Sequence, residues 1–235
     1  MKSIAVTAAI ALTLAACQRQ EDPSPAADAP PAPVQAPVAT PPQPIPPAAA
    51  PGQPVPPADV QATDDWRDYA KPADVDRLDR LDAAWTKARE GVKKDGDEAE
   101  LARLGALADP TVSLPNPHPA PGLYRCRTIK VGGMGLIAYG WFRCEVELTP
   151  GGDLILNKLT GSQRSTGLLY PGEGDGLVFL GAQAWGATEL KAPAYGAQSE
   201  RDQVGLLERI GDQRWRLAMP WPRVESDLDL MEIAK

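Results

Sequence analysis

Two cysteines stand in matching settings, Tyr124-Arg125-Cys126 and Phe142-Arg143-Cys144. Thiols placed like this can hold a metal, exchange electrons or staple the chain, and the redox state of the compartment decides between these uses. Two thiolates with no neighbouring histidine are too few for a closed zinc site. Dithiol redox chemistry more often uses a two-residue spacing. The single histidine, His118, lies in "PNPHPAP" and reads as a surface or capping residue. A histidine-rich metal site is thereby excluded, and a serine triad would have to be built around this one loop residue.

A second group of polar residues interrupts otherwise apolar segments: Gln163 and Arg164, Arg201 and Asp202, Glu208 and Arg209, Glu225 and Ser226. Arginine grips a carboxylate or phosphate through two parallel bonds, so these residues, turned inward together, are candidate ligand-binding residues for a small anion. Turned outward, they are the ordinary alternating residues of half-buried strands or ion pairs at a barrel end. Asp202, Glu208 and Glu225 could do acid and base work if the fold brought two of them face to face. The serines in "TGSQR" and "VESDL" lack the glycine-flanked elbow of serine hydrolases. The glycine runs "VGGMG" and "GEGDG" lie between strands, where they make turns and not phosphate cradles, and "GEGDG" lacks the spaced oxygens of a calcium loop. No cofactor and no metal is called for.

The 24 basic and 31 acidic residues leave a formal charge of −7, and the pI is about 4.8. A nucleic-acid partner is not expected on that balance.

The position of these residues begins with an address. Met1 and Lys2 precede an apolar stretch from Ile4 to Ala16, then "LAACQ". The stretch is too short to span a bilayer, which takes about 20 apolar residues, and reads as a signal peptide over residues 1–16. Leu-Ala-Ala-Cys resembles the bacterial lipobox, which implies lipidation of Cys17 by several acyl chains after cleavage before it. Each buried methylene adds about 0.8 kcal/mol, so such an anchor is close to permanent. Gln18, where an aspartate would favour inner-membrane retention, makes the resemblance imply the outer membrane, with the body of the protein in the periplasm.

Of 26 prolines, 15 fall between Pro23 and Pro57, and all 13 aromatic residues lie from Trp66 onward. Residues 17–63 therefore read as the lipidated cysteine and a disordered, polyproline-II-like spacer on the order of 100 Å long. Residues 64–109 read as a helical hairpin. One helix carries Val75, Leu78, Leu81, Trp85, Ala88 and Val92 on one face, and a second carries Leu101, Leu104 and Leu107. A proline-rich loop fills 110–121. From 122 to 235 the period becomes strand-like, in eight short segments bounded by glycine, proline or aspartate. The expected fold is α+β, the helical hairpin packed on an antiparallel meander of about eight strands. A small lipocalin-like barrel or strongly curved sheet is favoured over an open sheet covered by helices.

The strings "GLYRCRTIK", "WFRCEVE", "KLTGSQRSTGLLYP", "YGAQSERDQVGLLERIGDQRWRLAMPWP" and "ESDLDLMEI" resemble a family of bacterial envelope proteins, domain of unknown function 4893. The likeness covers most of residues 64–235, and Cys126, Cys144 and the "GSQR" segment match its pattern. It implies no assigned activity.

With Cys17 taken by lipid, Cys126 and Cys144 are an even pair in an oxidising compartment. A hairpin centred near Gly135 would set 126 opposite 144, which predicts a disulfide closing about 19 residues and contributing on the order of 3 kcal/mol. The expected function is that of a non-catalytic binding or interaction module at the outer membrane, its partner an envelope protein or a small anionic ligand. A carboxylate-dependent hydrolase or transferase acting on envelope material, and a periplasmic protease inhibitor, are the alternatives.

Overall fold

At Gly122 the chain stops alternating every three to four residues and begins to alternate every two, and there the sheet starts. A computed structural model describes residues 65–186 and 188–235. The signal peptide at 1–16, Cys17 and the spacer at 17–63 lie outside the described residues.

The strands are β1 (Gly122–Val131), β2 (Leu136–Ala138), β3 (Phe142–Leu148), β4 (Leu154–Lys158), β5 (Gln163–Pro171), β6 (Gly176–Trp185), β7 (Asp202–Gly211), β8 (Arg214–Pro220) and β9 (Leu228–Ala234). Every pairing is antiparallel, and β1 pairs with β9 from Arg125↔Ala234 to Val131↔Leu228, so the meander closes. β2 and β3 take successive halves of the same edge of β1. The result is an eight-stranded antiparallel closed barrel with β2 as a short annex. Closure removes the free edges that a meander of this length would expose.

Inward positions follow from register, since cross-strand partners share a face. Tyr124, Cys126, Cys144, Val146, Leu156, Leu169, Phe179, Leu207, Trp215, Leu217, Met231 and Ile233 form one buried cluster inside the barrel. Glycines make room for it. Gly167 and Gly181 face each other on β5 and β6, and a Cβ on Gly181 would lie 2.5 Å from the Phe179 ring and 2.8 Å from the Gly167 backbone. Gly181→Ala is expected to destabilise the barrel by about 2–3 kcal/mol through overpacking, read as a lowered denaturant midpoint with unchanged slope.

Cys126 and Cys144 are joined as expected, with Cα atoms 5.8 Å apart. The register expected from a turn at Gly135 differs from the one observed: Tyr124 pairs with Cys144 and Cys126 with Phe142, so the bridge runs diagonally. The turn at Gly132–Gly135 is tighter and earlier, joining Val131 to Leu136. The break at 139–141 between β2 and β3 then shifts the pairing by one residue.

Helices lie on the outside. The single long helix expected from Val75 to Val92 is two, α1 (Pro72–Asp79) and α2 (Leu81–Asp95), broken at Arg80. The two halves serve different surfaces. Val75 and Leu78 pack with Trp66 on Val178, Leu180 and Val204. Ala84, Trp85, Ala88 and Val92 pack on Ile129, Val131, Ala218, Leu228 and Leu230. One straight helix cannot follow the curved wall to both patches. The expected second helix is α3 (Glu98–Arg103) followed by a 3-10 turn, Gly105–Ala108, entered at a left-handed glycine. Strands under these helices are buried on both faces, which is why all seven residues of β9 are buried, whereas β3 keeps Arg143 and Glu147 exposed.

Candidate functional site

The two ends of the barrel differ in chemistry. One is stoppered by the proline-rich loop: Trp215 Nε1 donates to Pro117 O at 2.8 Å, Tyr124 Oη donates to Ala120 O at 2.6 Å, and the two rings meet edge to face at 5.7 Å. His118 is exposed on this loop. The other end is polar inside.

Five strands build the polar end by running their inward rows past the apolar core. On β4 the inward row is Leu154, Leu156, Lys158, because Lys158 pairs with Cys144. On β1 it is Tyr124, Cys126, Thr128, Lys130, and on β9 Ile233, Met231, Asp229, with Lys130 paired to Asp229. Gln183 on β6 pairs with Ser165 on β5. Lys130, Lys158, Ser165 and Asp229 are all buried.

Lys130 Nζ sits 3.2 Å from Glu225 Oε2 and 3.3 Å from Asp229 Oδ2. Ser226 Oγ donates to Asp229 Oδ1 at 2.5 Å. Burial raises the Asp229 pKa from the usual carboxylate value, while Lys130 and Ser226 oppose the rise. Glu225 has φ +75°, a costly conformation for a residue with a Cβ. Its carbonyl is held there by Met134 N–H at 3.2 Å. The "VGGMG" turn makes this contact possible, since a Cβ on Gly133 would lie 2.5 Å from Glu225 O.

Lys158 is different. It is 7% exposed, and among the described residues its Nζ has no carboxylate and no hydrogen-bond acceptor; the Phe142 ring, 4.3 Å away, is its one close partner. Burial pushes the amine down to about 8 from an ordinary 10.5, with Lys130 and Arg164 acting in the same direction and Asp229 against it. Lys158 lines a cavity of about 250 Å³ together with Thr128, Tyr139, Ser162, Gln163 and Glu225. A smaller cavity of about 40 Å³ lies against Lys130, Gln183, Gln203 and Arg201. There Gln203 Oε1 is buried without a hydrogen bond.

The residues nominated from sequence divide between places. Gln163 and Glu225 line the larger cavity, and Ser226 orients Asp229. Arg164 belongs to the rim: it donates to the carbonyls of Gly161 at 2.6 Å, Gly186 at 3.4 Å and Glu189. Arg201 pairs with Glu189 and stacks on Trp185 at 4.6 Å. Asp202 faces outward under α1, 2.9 Å from Lys71 Nζ and accepting from Gly196 N–H at 2.9 Å. Glu208 is outside the barrel, 2.5 Å from Arg216. Arg209 belongs to the stoppered end, donating to Pro115 O at 3.2 Å. Asp202, Glu208 and Glu225 thus have three separate partners and form no facing pair.

Lys130, Lys158 and Asp229 are not among the residues nominated from sequence, although the sequence carries a signal for the two lysines. Lys130 and Lys158 each continue, at a spacing of two, a row whose earlier members are core; Asp229 stands at the start of its row, in a strand that does not alternate.

The family model described as domain of unknown function (DUF4893) matches residues 66–233. The chain belongs to this family. The match spans both the outer helices and the whole barrel, so Lys130, Lys158 and Asp229 all lie within the family's domain. No curated protein and no solved structure matches the chain.

Proposed function

We propose that this DUF4893 chain is a lipid-anchored protein of the bacterial envelope, held at the outer membrane through Cys17, whose periplasmic barrel binds a small molecule at its polar end without transforming it. The observation that carries the binding reading is the change in the barrel's interior from packed apolar side chains to buried lysines, a carboxylate and amides around open space. A barrel that only had to be stable would extend its apolar core to both ends, because buried charge costs free energy that packing does not. Concave space with a few convergent polar groups is where small ligands bind. The anchor rests on "LAACQ".

Two results test the two halves of the reading. In cells fed labelled fatty acid, the full chain is expected to take up label and fractionate with the outer membrane, and Cys17→Ala to appear unlabelled in the soluble periplasm; a soluble, unlabelled wild-type chain contradicts the anchor. Small molecules that co-purify with the full chain are expected to be absent from Gln163→Trp, which fills the cavity rim. Equal recovery from both chains contradicts a site in the barrel mouth.

A further inference from the structure

Resting on the reading of the barrel mouth as a small-molecule site, we propose that the ligand is a carboxylic acid with a compact apolar body, its carboxylate paired with Lys158 Nζ. The charges around the cavity lead there. Lys130 is shared between Glu225 and Asp229, Arg201 is paired with Glu189, and both terminal nitrogens of Arg164 are held by carbonyls. Of these four cations, Lys158 alone has nothing but a ring against it, on a buried side chain whose ammonium opens onto the cavity. An isolated buried charge is costly unless a counter-charge joins it.

One unit of negative charge completes the site. A dianion such as a phosphate monoester would meet Glu225, which lines the same cavity. Thr128, Ser162 and Gln163 supply neutral donors around a carboxylate. Phe142 and Tyr139 give its apolar part a surface, and about 250 Å³ limits that part to something near one ring or a short chain.

The test uses the full chain and calorimetric titration with benzoate and octanoate, with benzamide and octanamide as neutral controls and inorganic phosphate as the dianion. At least one carboxylate is expected to bind ten-fold or more tightly than its amide and than phosphate. Lys158→Met is expected to weaken that acid at least ten-fold, and Lys158→Arg, which keeps the charge, to weaken it less. Binding at pH 8 is expected to take up protons, seen as a heat that varies with the buffer's own ionisation. Absence of carboxylate binding at millimolar concentration, tighter binding of phosphate, or an affinity unchanged in Lys158→Met overturns the proposal. Amides that bind as well as acids, and are lost in Gln163→Trp, overturn the ligand class while leaving the mouth as a binding site.

Discussion

Arg216→Ala is expected to lower the unfolding free energy by about 3–5 kcal/mol, the range for breaking a buried ion pair by removing one partner. Arg216 is the largest fully buried side chain of the domain, on the outer face of β8. Its guanidinium lies 2.5 Å from Glu208 and donates to the carbonyls of Ala106 at 3.2 Å, Asp109 at 2.5 Å and Val112 at 3.1 Å. It also lies 5.3 Å from the centre of the Trp85 ring. One side chain therefore fastens the segment after α3, and with it the start of the proline-rich loop, to the barrel. Truncation leaves Glu208 without its counter-charge and Val112 O without a donor, while the carbonyls of Ala106 and Asp109 keep only their turn bonds from Asp109 and Val112 N–H. Arg216→Met with Glu208→Gln is expected to recover part of the loss, because the orphaned charge goes and Val112 O stays without its donor. Guanidinium denaturation of the full chain and of both variants measures this. A change under 1 kcal/mol for Arg216→Ala would mean that the fastening is not as drawn.

Lys158→Met is expected to act in the opposite direction and stabilise the chain at neutral pH. A fall from 10.5 to about 8 corresponds to roughly 3 kcal/mol of penalty on the charged form. The Phe142 ring offsets about 1 kcal/mol of that. Met fills similar space without the charge, so a gain of about 2 kcal/mol is expected at pH 7. The sign with pH follows from proton counting. Between pH 8 and 10.5 the unfolded chain holds a proton that folded Lys158 has released, so wild-type stability rises with pH through this window. The advantage of Lys158→Met is therefore full below pH 8, falls through the window from 8 to 10.5, and is gone above it. Lys130, Asp229, Arg164 and Glu225 are the charged groups around Lys158, and all of them remain in the variant. A residue that costs stability where it stands is the pattern expected of one kept for binding.

How much of this was legible beforehand depended on whether one face of an element meets water. β3 alternates exposed Arg143 and Glu147 with buried Cys144 and Val146, so its inward face could be read from its letters. The same was true of the cysteine bridge, though its register was not, because the turn at Gly132–Gly135 and the break at 139–141 each move it by a fraction of a strand. β9 is buried on both faces under α2 and shows no alternation, so Asp229 gave no sign of pointing inward. Arginines and glutamates looked like the site because they are conspicuous. Most of them hold loops and helices to the wall, as Arg164, Arg201 and Arg209 do. Lys158 ends a strand, where lysines are commonplace, and its pairing with Cys144 across β3 and β4 turns it into the barrel.

The most direct measurement is a titration of the Lys158 side-chain ammonium by NMR, in the full chain with selectively labelled lysine, without and with saturating carboxylate. The free protein is expected to show one lysine titrating near 8, absent from Lys158→Met, that moves up toward its ordinary value when the acid is bound. A Lys158 that titrates near 10.5 in the free protein, or one that does not move when a carboxylate occupies the mouth, would contradict the account.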